Sequence, residues 1–127
     1  MNAHETWLKQ AQSNLNMARL VTDFNGIRLE DVCFQLHQCV EKSLKGLLVF
    51  VNEQPPKTHS ITLLLELLAH YLTIPDYIRE AIDLNDYAVT CRYPGAYSEM
   101  IDVDEVARLL IIAEDCIRWV VDEIHKR

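Results

Sequence analysis

Glycine and proline are scarce in this chain, with three and four among 127 residues. They are expected as punctuation between periodic segments, which leaves little room for a loop-built fold. Long apolar runs are missing too. None approaches the roughly eighteen residues a membrane-spanning helix needs. The opening residues, Met1 to Glu5, lack a basic stretch followed by an apolar one, so no secretory signal is read and a cytoplasmic setting is expected. The four cysteines, Cys33, Cys39, Cys91 and Cys116, form no CxxC pair and lie in apolar helical patterns. Buried free thiols are expected, and disulfides are not. No segment of useful length alternates with period two, which excludes a sheet.

Positive charge is in deficit. Twelve lysines and arginines face nineteen acids, for a net charge of −7. Residues 1–63 carry six of each sign, while residues 64–127 carry six basic and thirteen acidic side chains, so the second half holds the whole imbalance. Such a surface gains nothing from counterion release on a duplex, and general DNA binding is excluded. HExxH, P-loop and GxSxG patterns are absent, as are zinc-spaced Cys/His clusters and the Glu-x-x-His pairs of a di-iron bundle. No metal or cofactor is expected.

What the chain has is helical periodicity over its whole length. Trp7, Leu8, Ala11, Leu15, Ala18 and Val21 predict a first helix over about 5–24, closed by Asn25-Gly26. A second is predicted over about 29–52, stopped by Pro55-Pro56. A third opens at Ser60 as N-cap and covers about 61–71, with Leu63, Leu64, Leu67 and Leu68 as its buried face. A fourth covers about 76–91, with Pro75 in its entry and Pro94-Gly95 marking its end. The fifth starts after Asp102, where Asp102-Val103-Asp104-Glu105 resembles a capping box. Its apolar set is Val106, Leu109, Leu110, Ala113, Ile117, Val120 and Val121. The expected fold is all-α: one domain, an antiparallel up-and-down bundle of four to five helices with short connections.

Three constellations stand out. His37, Glu41 and Lys45 recur every four residues, so they climb one side of the second helix. Leu36, Val40, Leu44 and Leu47 form the apolar stripe; His37 is expected at its edge, with Glu41 and Lys45 drifting outward. Spacing alone fits a solvated ion-pair ladder. It also fits a polar groove rim where His37 exchanges protons and Lys45 meets a phosphate. The second constellation is Arg92-Tyr93-Pro94-Gly95-Ala96-Tyr97 at a helix end. There an arginine can fork onto phosphate and tyrosines can stack on a base, or Arg92 can simply pair with acids such as Asp86. Asn85 and Asp86 interrupt the apolar pattern just before it. The third is Arg118 with His125, which matches a ribonuclease spacing but falls on what is expected to be a frayed helix end. His59 reads as a helix-entry residue.

The segments Leu36-His37-Gln38-Cys39-Val40-Glu41-Lys42-Ser43-Leu44-Lys45, Pro55-Pro56-Lys57-Thr58-His59-Ser60 and Leu84-Asn85-Asp86-Tyr87 leading to Arg92-Tyr93-Pro94 occur in this order. Together they resemble the HEPN family, the helical domains named for nucleotide binding in higher eukaryotes and prokaryotes. The resemblance covers nearly the whole chain. It implies a bundle that dimerises, and a minimal nucleotidyltransferase as partner in a two-gene, toxin–antitoxin-like system. Many relatives are metal-independent ribonucleases using Arg-x4–6-His. This chain departs from that motif: the spacings after Arg92 give Tyr97, Ser98 and Glu99, none of them histidine. The resemblance therefore favours binding over catalysis, with Arg92 the one candidate for any residual chemistry. His37, Glu41, Lys45, Asn85, Asp86, Arg92, Tyr93 and Tyr97 are the expected contacts for a nucleotide such as ATP or for RNA. The alternatives are an RNA-cleaving toxin and a plain homodimerisation module.

Overall fold

The structure, a computed structural model, describes residues 2–20, 26–88 and 101–127. Its elements are α1 (Ala3–Arg19), α2 (Leu29–Phe50), α3 (Ile61–Leu68), α4 (Asp76–Arg79) running straight into a 3₁₀ helix (Glu80–Tyr87), and α5 (Val103–Lys126). The chain is an all-helical bundle, with no strand among the described residues.

Local sequence accounts for the helix starts. The Asn2 side chain accepts from the Glu5 amide at 3.0 Å and donates to the Glu5 carboxylate at 2.8 Å, a reciprocal cap on α1. Ser60 accepts from the Leu63 amide at 3.1 Å and Asp102 from the Glu105 amide at 2.8 Å, as the sequence predicts. Each such cap contributes about 1 kcal/mol.

α1 and α2 pack antiparallel. The His4 ring meets Phe50 edge-on at 5.2 Å, Lys45 lies over Trp7, and Asn14 reaches Gln35 at 2.7 Å and Lys42 at 2.9 Å. Gly46 sits inside α2 rather than between helices. A Cβ there would stand 3.1 Å from the Trp7 Cβ and 3.3 Å from the His4 carbonyl oxygen, so the missing side chain is what lets α1 lie this close.

The connection from α2 to α3 is extended and climbs back along α2. His59 meets Glu41 and His37, roughly two to four turns before the end of α2. α3 then descends again, and Tyr71 Oη donates to Glu53 at 2.6 Å just past the end of α2. In the third helix Ile61, Leu64, Leu65 and Leu68 face the core; Leu63 is exposed and Leu67 only half-buried. With leucine at 63, 64 and 65, the sequence alone leaves the helical phase open by one position.

The fourth predicted helix is α-helical for only four residues. Beyond Arg79 the chain tightens to three residues per turn. Its apolar residues recur with that period. Ile78, Ala81 and Leu84 are buried, and Tyr87 packs against the core. A three-residue turn stacks them in one column, where an α-helix would fan them apart. The same geometry stacks Glu80, Asp83 and Asp86 on the solvent side. α5 closes the bundle over α1 and α2, burying Val106, Leu109, Ile112, Ala113, Cys116, Ile117, Trp119 and Val120. Fully burying each large aliphatic side chain of this core contributes about 1.5–3 kcal/mol.

Candidate functional site

The three residues that recur along α2 are buried. His37 is 0%, Glu41 4% and Lys45 7% exposed. This corrects the expectation of an exposed edge, and the reason is tertiary. α1 covers one flank of α2, with Trp7 over Lys45 at 5.7 Å, and the returning segment before α3 covers the other. A helix covered on both flanks buries its polar residues along with its apolar ones, and each then needs a partner.

The partners are present. Glu41 is the centre: Lys45 Nζ donates to Oε2 at 3.0 Å, and His59 Nδ1 donates to Oε1 at 2.9 Å. His37 Nε2 donates to the His59 carbonyl oxygen at 2.9 Å. Because that oxygen can only accept, the His37 proton sits on Nε2, leaving Nδ1 to accept from Gln38 at 3.4 Å. Burial, above all, lowers the His37 pKa and favours the neutral ring that this bonding requires; the bond to the His59 carbonyl and the Glu41 charge oppose it in part. No buried side-chain nitrogen or oxygen is left without a partner among the described residues.

His59 is where this network reaches the surface, with its side chain 64% exposed while its Nδ1 is held by a buried carboxylate. By spacing it is only a helix-entry residue. Its place in the Pro55-Pro56-Lys57-Thr58-His59-Ser60 segment is the one signal the sequence offers; the extended climb that carries it onto Glu41 is not visible in spacing. Asn85 stands close by in the fold. Its Oδ1 accepts from the Ile61 amide and its Nδ2 donates to Thr62 Oγ1, both at 2.8 Å. Asn85 thus ties the 3₁₀ helix to the start of α3 and supplies a partner for one of the amides that open the helix. Asp86 is exposed on the acidic column. Arg92, Tyr93 and Tyr97 lie outside the described residues, as do Cys91, Val21 and Asn25.

The third constellation looks different in the fold. α5 continues to Lys126, so Arg118 and His125 stand on an intact helix. Seven residues apart, they share a face about 10 Å apart along the axis. Both are exposed, and Arg118 pairs with Asp115 at 3.3 Å. Cys33, Cys39 and Cys116 are buried and unbridged. Burial pushes the Cys33 and Cys39 thiols up to about 12 and Cys116 well above its ordinary value, so none is a thiolate nucleophile near neutral pH. Among the described residues no group of three His, Cys, Asp or Glu could hold a metal ion, and no helix is long and apolar enough to cross a membrane.

The model of the HEPN domain matches residues 4–124. The chain belongs to the HEPN family. Two solved structures are similar to the chain over nearly their full lengths. An archaeal HEPN homologue is 29% identical, with a TM-score of 0.74, 98% of this chain covered and 99% of that one. A protein from Thermus thermophilus is also 29% identical, with a TM-score of 0.81, 96% of this chain covered and 98% of that one. No curated protein matches the chain. The HEPN bundle is thus the scaffold, and the His37–Glu41–Lys45–His59 network is the polar centre built into it.

Proposed function

We propose that this HEPN protein binds a nucleotide, a minimal nucleotidyltransferase partner, or both, as one component of a two-gene, toxin–antitoxin-like system, and that it works as a homodimer. The observation that carries the reading is a buried ionic network that, among the described residues, is fully partnered and opens to solvent at His59. That point lies beside the start of α3 and Asn85. Buried charge is costly unless paired, and here the pairing orients groups at a surface. Arg92 follows Asp86 by six residues, and Tyr93 and Tyr97 follow in turn. In this reading they supply the phosphate fork and the stacking rings. His37, Glu41 and Lys45 act from beneath, as support for that surface rather than as direct phosphate ligands.

Calorimetric titration with ATP and related nucleotides, alone and with a co-expressed nucleotidyltransferase, tests both parts. Saturable heat that Arg92→Ala abolishes is the expected result. Silence at millimolar ligand in both preparations removes the nucleotide, and failure of the two proteins to co-elute removes the partner.

A second reading, an RNA-cleaving toxin, draws on Arg118 and His125 sharing an exposed face of an unfrayed α5. Incubation with RNA discriminates: cleavage lost in His125→Ala selects this pair, cleavage lost only in Arg92→Ala selects the junction, and no cleavage leaves the binding role.

A further inference from the structure

His59 and Glu41 have the geometry of a carboxylate–imidazole dyad. The Glu41 carboxylate is acceptor-only, so the His59 nitrogen 2.9 Å from it, Nδ1, must carry the proton. In the neutral ring Nε2 is then a bare lone pair. Glu41 is buried and the imidazole is largely exposed, so the lone pair is offered to solvent while its orienting partner is shielded from it. Nothing among the described residues bonds Nε2. The ring itself is held by Glu41, and the backbone that carries it is pinned. The His59 carbonyl accepts from His37, the next residue caps α3, and the Ile61 amide is held by Asn85. Lys45 occupies the second Glu41 oxygen, which leaves Oε1 for His59. A histidine needed only to fill space would not require a buried carboxylate behind it and a pinned backbone beneath it.

We infer that His59 Nε2 is a proton acceptor for the hydroxyl group of a ligand bound at this surface, with Glu41 as its positioning residue. The ligand class is an alcohol, a sugar hydroxyl or an activated water. In the step, the hydroxyl proton moves to Nε2, the ring becomes an imidazolium carrying protons on both nitrogens, and Glu41 stabilises that charge through the Nδ1–H bond. While the proton is on Nε2 the ligand oxygen carries the matching negative charge, and it takes the same proton back before the ligand leaves, so no further reactant is needed. This assignment does not depend on nucleotide binding; it gives the site a chemistry that binding alone would not use.

The test uses the intact protein. Nitrogen-15 correlation of the imidazole rings in alkaline buffer is expected to show the His59 proton on Nδ1 and a bare Nε2. A ring protonated on Nε2, or a mixture of tautomers, overturns the inference. In parallel, diethyl pyrocarbonate reports lone-pair reactivity residue by residue through peptide mass mapping. The nitrogen attacks the carbonate carbonyl and displaces ethyl carbonate. His59 is expected to react several-fold faster than the exposed His70 and His125, and in Glu41→Gln its rate is expected to fall to theirs. Equal rates in the wild-type protein, or an unchanged His59 rate in a folded Glu41→Gln protein, overturn it. Should that variant not fold, the wild-type tautomer and the wild-type ranking decide the matter. Loss of nucleotide binding with the dyad intact would sink the binding proposal alone.

Discussion

The middle of α2 and the 3₁₀ helix both carry polar residues at regular intervals, yet the fold treats them oppositely. On α2, His37, Glu41 and Lys45 recur every four residues and are buried. On the 3₁₀ helix, Glu80, Asp83 and Asp86 recur every three and stay in solvent. The difference does not lie in the side chains, since both sets include acids. It lies in what covers the helix. α2 is packed by α1 on one flank and by a returning segment on the other, whereas the 3₁₀ helix packs through its apolar column and Asn85 and leaves its acidic column open. Regular spacing therefore identifies a shared face, and neighbouring elements decide whether that face is wet.

The contrast breaks most sharply at Glu41. Glu41→Ala leaves Lys45 buried without its carboxylate and takes away the anchor of His59, so a loss of about 3–5 kcal/mol is expected in urea unfolding. Replacing Glu41 and Lys45 together by methionine removes both charges and is expected to recover most of that loss, because two desolvation costs vanish with the attraction. If the double variant were as unstable as Glu41→Ala, the cost would lie in packing and not in the orphaned charge.

How far the sequence reaches follows from the same comparison. The apolar periodicity of α1, α2 and α5, and the caps at Ser60 and Asp102, are local properties, and they read through to the structure. The three positions on α2 emerge as a set because a shared face is also local. Their burial is not legible, since it depends on Trp7, which is 38 residues before Lys45, and on an extended segment that brings His59 back along the helix. The 3₁₀ geometry is half-legible. Ile78, Ala81, Leu84 and Tyr87 repeat every three residues, but an α-helical stripe also contains such steps, and only their stacking against the core selects the tighter turn.

A smaller effect sharpens the comparison through pH. The folded-state pKa of His37 lies below its ordinary value of 6.5, chiefly because burial disfavours the charged ring. The unfolded chain therefore binds a proton at a higher pH than the folded one. The His37 contribution is fully present above about 6.5 and is lost as pH falls from there through the folded pKa. Each unit of separation between the two pKa values is worth about 1.4 kcal/mol. Urea midpoints measured from pH 7.5 downward should decline on the acid side, and His37→Gln should flatten that decline. An unchanged slope in the variant would assign the acid sensitivity elsewhere.

The smallest effect is expected on the open column. Asp83 accepts from Arg108 at 3.1 Å, but both side chains are about half exposed, and Arg108 also forks onto Glu105. A solvent-screened pair with a second partner at hand contributes little, so Asp83→Asn should shift stability by about 0.5 kcal/mol or less. The shift should shrink further when salt is raised, because screening acts on exposed charges and spares buried ones. Glu41 under the same salt series should be insensitive. Should Asp83→Asn prove as costly as Glu41→Ala, coverage by neighbouring elements could no longer explain why two regularly spaced sets of polar residues differ in worth. The 3₁₀ column would then have to be counted as part of the bundle's structural core.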